Sequence, residues 1–157
     1  MLTLVERQDC IARLRRLPDQ IAALVQPLTP AQMTAVTIPG EWTVAQNVHH
    51  LADSHMNAYI RVRLMLTEDR PPLKPYDQDE WAKLPDASAA DVSDSLALLR
   101  GLHARWCALF ENLADNQWSR VGVRPDKEVT VEHILKSYAK HGEDHIDQIQ
   151  RTLAAGK

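Results

Sequence analysis

Glycine is scarce in this chain of 157 residues, with only 5 copies, and the β-branched residues gather into no alternating runs. Both absences argue against a sheet-built fold and for helices. No apolar stretch approaches the roughly 18 residues that a membrane-spanning helix needs. The opening MLTLVERQDC lacks the basic start and apolar run of a signal peptide. Cysteine is nearly missing: Cys10 and Cys107 stand alone, in no CxxC or CxxH pattern. Such isolated thiols suit a reducing compartment, so a cytoplasmic location is expected. Lysine and arginine form no stripe interleaved with aromatics, and the net charge is only −3. Nucleic acid is therefore not an expected partner, nor is a membrane. There are no repeats and no low-complexity segment.

What remains is a globular composition, 45% apolar and 25% charged. It suffices for a core without disulfides and suits a single domain over residues 1–157. Apolar periodicity predicts four helices. The first runs from Leu4 to Val25, with Pro18 expected to kink or split it. Thr29-Pro30 opens a short helical turn. The second starts at Thr43 as N-cap and runs to Leu66, with Val44, Val48, Leu51, His55, Ala58, Tyr59, Val62 and Leu66 as its stripe. A long connection with four prolines follows. The third helix is expected from Asp91 to Leu113. Val121 to Val129 reads as a turn or small hairpin. Thr130 then caps a fourth helix that reaches Leu153. The pattern predicts an all-α four-helix bundle, and the connections are long enough to require crossover loops.

The chain carries 7 histidines, all on predicted helices. On the last helix, in KHGEDHIDQI, His141 and His145 stand four apart and share a face with Ile134 and Tyr138. Imidazoles at that spacing can share one metal ion. They can also be core residues satisfied by hydrogen bonds, since an unpaired buried imidazole costs roughly 1–3 kcal/mol. The motif is not HExxH, because Gly142 stands where a zinc peptidase carries its glutamate. A third ligand would come from a facing helix. Periodicity by itself selects His55. His50 lies off that stripe, on a polar line with Asn47, Ser54, Asn57 and Arg61 that reads as a solvated face or as the wall of a polar cleft. His103, beside Trp106, reads as a hydrogen-bonded core histidine, and His133 as a surface or capping residue. The four tryptophans read as core and loop anchors.

The stretch GEWTVAQNVHHLADSHMNAYIRVRLMLTEDRPPLKPYDQDEWAKL resembles the YfiT branch of the DinB superfamily. SLALLRGLHARWCALF and YAKHGEDHIDQI continue the match in order, so it covers Gly40 to Ile149. The resemblance implies a four-helix bundle holding one divalent metal, zinc or nickel, on three histidines. The first is the histidine directly before the leucine of HHL, here His50; the others are His141 and His145. It displaces His55 as the third ligand and turns Asn57 and Arg61 into a candidate cleft wall. The long loop with Lys74, Tyr76 and Asp77 reads either as a rim contacting substrate, with Tyr76 joining the candidate cleft, or as a well-packed crossover loop. The activity the resemblance implies is transfer of a small-molecule thiol such as bacillithiol to an electrophile, in a homodimer. A metal-dependent hydrolase and a non-catalytic metal-binding stress-response module are the alternatives. No catalytic residue beyond the ligands is assigned. Relatives of this type carry extra histidines between the last two ligands, a His-Pro before the last helix and a longer leader. Here Gly142, Glu143, Asp144 and Arg124-Pro125 stand in the first two places, and the first helix begins almost at once.

Overall fold

A computed structural model describes residues 1–156. Helix α1 spans Leu4–Val25 and the short α2 Pro30–Thr34. Helix α3 spans Val44–Thr67, α4 Gln78–Trp81 and α5 Ser93–Glu111. A 3-10 turn at Asp115–Gln117 leads to strands β1, Val121–Val123, and β2, Glu128–Thr130, and then to α6, Val131–Ala155. None of these helices is long and apolar enough to cross a membrane.

The helix starts follow from side-chain capping. Thr3, Thr29 and Thr43 each accept a hydrogen bond from the amide three residues on, and Glu6, Gln32 and Gln46 reach back to complete a capping box. Thr130 caps α6 in the same way, its hydroxyl accepting from the His133 amide at 3.1 Å. Helix α5 begins two residues later than its apolar pattern suggests. The Asp91 carboxylate takes the Ser93 amide at 2.9 Å and keeps Asp91 itself outside the helix.

Pro18 does not split α1, which runs unbroken through it. A proline inside a helix costs about 3 kcal/mol because it has no N–H to donate. Here it is itself buried in a helix that buries Leu14, Leu17 and Ile21 on the same side. The carbonyl left without its helical donor is that of Leu14, four residues earlier. It accepts from the ring Nδ1 of His103 at 2.6 Å instead.

The four long helices form a ring in which α1 packs on α5 and α6, and α3 packs on the same two. Helix α1 is thus diagonal to α3, and α5 to α6. The long link between α3 and α5 runs back along the bundle, from the C-terminal end of α3 to its N-terminal end, and is pinned twice. Leu73 donates its amide to the Val123 carbonyl at 2.7 Å, and Val123 donates to Pro71 at 2.9 Å, so the link forms a bridge beside β1. Farther on, His49 of α3 meets the Ala89 carbonyl at 3.0 Å and the Ser95 hydroxyl at 2.8 Å.

The apolar core has two parts. One gathers Leu14, Ala58, Val62, Trp106, Phe110 and Leu135. The other gathers Leu17, Ile21, Val48, Leu51, Leu99 and Ile149. Between them, at one level of α3, α5 and α6, lie His55, His103, His141 and His145. The histidines thus form a polar layer inside the bundle. Gly142 lets α1 approach that layer: a Cβ there would stand 2.6 Å from Leu17 Cδ2 and 3.0 Å from Cδ1. Overpacking of this kind costs about 1–3 kcal/mol, against a gain of about 1 kcal/mol for replacing a mid-helix glycine. Gly142→Ala is therefore expected to lower stability by on the order of 1 kcal/mol. Urea denaturation reads this directly, and a variant as stable as the parent would show that Leu17 can step aside.

Candidate metal centre

His50 comes from α3, and His141 and His145 from consecutive turns of α6. Their ligand atoms all lie within 4.8 Å of one another. The Nε2 atoms of His50 and His141 are 3.3 Å apart, and those of His141 and His145 are 3.2 Å apart. A tetrahedral ion at about 2.0–2.1 Å from each imidazole nitrogen would set neighbouring nitrogens about 3.4 Å apart. The His50–His141 and His141–His145 spacings fit such an ion, and the third pair lies within 4.8 Å. The cluster contains imidazoles only, among the described residues.

Burial keeps these rings neutral. It lowers His50 to about 3, with help from His145, and His145 to about 3, with help from His141. His141 falls to about 4 for the same reason, aided by His50 and opposed by Asp144. Neutral imidazole is the form that binds a metal. Other side chains aim the rings. Asn47 Oδ1 sits 2.7 Å from His145 Nδ1. Its amide nitrogen donates to the Thr43 carbonyl at 2.9 Å, which turns the oxygen toward the histidine. An oxygen acceptor there places the His145 proton on Nδ1 and leaves Nε2 bare. His55 Nε2 lies 3.2 Å from His141 Nδ1 and does the corresponding work behind that ring.

His55, the periodicity choice for third ligand, is thus outside the trio and stands directly behind it. The polar line on α3 is not a solvated face: Asn47 is 0%, Ser54 4% and Arg61 7% exposed. Of the residues assigned to the cleft, Arg61 and Tyr76 meet. Arg61 donates to the Lys74 carbonyl at 2.6 Å, and its guanidinium lies 5.9 Å from the Tyr76 ring centre. Burial raises the Tyr76 hydroxyl, opposed by a hydrogen bond with Ser54. Asn57 is half-buried, and its amide donates back to the Asp53 carbonyl one turn earlier. Lys74 and Asp77 are exposed, Asp77 as the cap of α4.

Sequence reasoning missed Trp42. Its ring centre lies 4.6 Å from that of His50 and 6.1 Å from that of His145, on which it stacks. It sits in a loop, where no periodicity could have marked it. Tyr138 was placed on the right face, and its ring stands 5.4 Å from His141. Between the paired ligands, Glu143 turns to α1 in a two-pronged ion pair with Arg13, and Asp144 pairs with Lys140. Arg124 and His133 lie beside Tyr138 and Arg61 around a small hollow, and Tyr138 also meets His141.

A sequence model of the DinB superfamily matches residues 13–149. The chain belongs to the DinB superfamily. Within that superfamily it is 43% identical over 146 residues to YfiT of Bacillus subtilis (strain 168), which is provisionally named a metal-dependent hydrolase; the match covers 92% of this chain and 82% of YfiT. A Geobacillus kaustophilus protein of the same provisional name is 42% identical, over 92% of this chain and 82% of the relative. The solved structure of Bacillus subtilis YfiT superposes with a TM-score of 0.93 at 41% identity, covering 97% of this chain and 88% of that one. It is described as a four-helix bundle of unusual topology, which agrees with the diagonal placement of α1 and α3. A mycothiol-dependent maleylpyruvate isomerase shares the fold, with a TM-score of 0.64 at 16% identity over 95% of this chain and 63% of the other.

Proposed function

We propose that this DinB-superfamily protein is a metal-dependent enzyme that joins a low-molecular-weight thiol to a carbon electrophile, using zinc or nickel held by His50, His141 and His145. The observation that carries this reading is the donor set, three neutral imidazoles converging with no carboxylate among them. Three neutral ligands leave the charge of a divalent ion uncompensated and favour an anionic partner from outside the protein. A divalent ion in such a site supplies Lewis acidity that lowers the pKa of a thiol or a water. Imidazole suits zinc and nickel alike.

The chain's own residues supply the rest. Trp42 covers one side of His50 and His145 and limits the approach of bulk water. Arg61 and Tyr76 hold the Lys74 end of the crossover against the cleft. The carboxylates that flank the ligand pair are engaged elsewhere, Glu143 by Arg13 and Asp144 by Lys140. Water bound to such an ion still has a pKa of about 7, whereas a coordinating thiol would be deprotonated outright. In the transfer, the S–H proton goes to solvent and a C–S bond forms. The leaving group departs with the electrons of its bond to carbon. The thiol-dependent enzyme with this fold supports the assignment only in showing that the fold accommodates such chemistry.

Hydrolysis is the second reading, favoured by the provisional names of YfiT and its relatives. One experiment separates them. Metal-loaded protein is given a small thiol with monobromobimane, and in parallel a panel of esters and amides, before and after chelation. Thioether formation above the uncatalysed rate that vanishes on chelation is expected. Ester cleavage without thioether would assign water as the nucleophile. Conjugation that survives full chelation would sink the metal mechanism.

A further inference from the structure

Behind His141 the polar layer continues through two more buried histidines, and every ring nitrogen along it has a partner. His141 Nδ1 faces His55 Nε2 at 3.2 Å. His55 Nδ1 faces His103 Nε2 at 2.9 Å, with the two rings stacked at 4.9 Å. His103 Nδ1 faces the Leu14 carbonyl at 2.6 Å. His55 is 0% and His103 1% exposed, so water does not intervene. The edges of Trp106 close the layer, at 5.9 Å from His55 and 6.1 Å from His103.

The direction of these bonds follows from one end. A carbonyl only accepts, so His103 must donate from Nδ1. Both rings are fully buried, which favours their neutral form. A neutral imidazole has one donor and one acceptor. His103 Nε2 is then an acceptor, which requires His55 to donate from Nδ1. His55 Nε2 becomes an acceptor in turn, which requires His141 to donate from Nδ1. The Nε2 of His141 is left bare, facing His50 and His145. The Leu14 carbonyl can serve as the anchor because Pro18 offers it no helical N–H.

We propose that His55 and His103 are positioning residues, which relay the polarity of the Leu14 carbonyl to His141 and hold it in the one tautomer whose free nitrogen faces the metal position. This rests on the reading of His50, His141 and His145 as the ligands. A hydrogen bond donated by the far nitrogen also raises the basicity of the ligating one. Asn47 serves His145 alone and directly. His141 is served through two further rings that reach across to α5 and α1.

The test has two arms. In metal-free wild-type protein at pH 7.5, the 15N shifts of the imidazoles are expected to show His103, His55 and His141 all protonated on Nδ1, the tautomer that free histidine disfavours. A His141 protonated on Nε2 would overturn the relay. In the second arm, cobalt(II) affinity is measured by competition with a chelator. His103→Leu removes the anchor and is expected to weaken binding about 10–100-fold. His103→Gln is expected to restore it to within a few-fold, because an amide can donate to Leu14 and accept from His55 at once. A merely structural role for His103 would not distinguish the two by their effect on His141. A His103→Leu protein that binds like the parent, or that leaves His141 protonated on Nδ1, would overturn the proposal. If the wild type binds no cobalt(II), the ligand reading fails. The relay is then decided by the imidazole shifts of wild type and His103→Gln, which carry the Nδ1 proton on His141 if it holds and lose it if it does not.

Discussion

Replacing His145 with alanine is expected to strip the bundle of its metal, from about one ion per chain to almost none. The site has three ligands, and they divide unequally between elements. His141 and His145 share α6, while His50 alone ties that pair to α3. Removing His145 leaves two nitrogens on different helices and discards the bond that Asn47 makes to orient it. His50→Ala would leave only the pair on one helix, and the same loss is expected. Asn47→Ala removes no ligand but loses the bond to His145 Nδ1, and should cost about 10–100-fold in affinity. Elemental analysis of protein made without a histidine tag reads the stoichiometry, and chelator competition reads the affinity. A His145→Ala protein that keeps a full complement of metal would remove that residue from the site.

The second large effect concerns acid. In the metal-free protein, His50, His141 and His145 protonate near 3, 4 and 3, because burial holds them below their ordinary value. The unfolded chain protonates them near 6.5. Between those limits the unfolded state binds more protons than the folded one, so stability rises with pH. The full stability is present above about pH 6.5 and is lost progressively as the pH falls toward 4. A tenfold difference in proton affinity between the folded and unfolded chain is worth about 1.4 kcal/mol. Three such groups together reach several kcal/mol, on the order of the whole stability of a small domain. Urea denaturation of metal-free protein at pH 7.5, 6 and 5 should show a steep decline. A bound divalent ion must be displaced by the incoming protons, so metal should move the decline to lower pH. The loss of one imidazole in His145→Ala should flatten the metal-free slope. A parent protein equally stable at pH 7.5 and pH 5 would mean that these rings accept protons while folded.

Much of this architecture was legible in the sequence because it rests on local chemistry. Thr43, Thr130 and Thr29-Pro30 mark helix starts by capping, and the structure places helices there. The spacing of His141 and His145 put both on the inner face of α6, and they are found there. The third ligand was not legible from periodicity, for a physical reason. A stripe analysis assumes that a helix has one buried face, but α3 packs on both α5 and α6. His55 lies on the side that meets His103 of α5, and His50 lies on the side that meets α6. The line through Asn47, Ser54 and Arg61 looked solvated because neither α6, which Asn47 meets, nor the crossover loop, which meets Ser54 and Arg61, could be counted. It was the resemblance of VHHLADSH to a known family that singled out His50. Pro18 does not split α1, and periodicity offered no reason why. Its cost to α1 was judged within α1 alone, whereas the carbonyl it frees has a use on another helix. Trp42, the Lys74 end of the crossover and the anchoring of Ala89 by His49 are loop features. They depend on where chain segments cross, which no local pattern encodes.

The diagonal placement of α1 and α3 also bears on how the chain reaches its fold. In an ordinary up-and-down bundle, each new helix can settle against the one before it. Here only α3 and α5 are both consecutive and adjacent among the long helices. The ion pairs of α1 with α6 join Arg7 to Glu132 and Arg13 to Glu143, at separations of 125 and 130 residues. The first helix must wait for the last before half of its packing exists. Contacts this distant along the chain raise the contact order well above that of a simple helical bundle, and refolding slows as contact order rises.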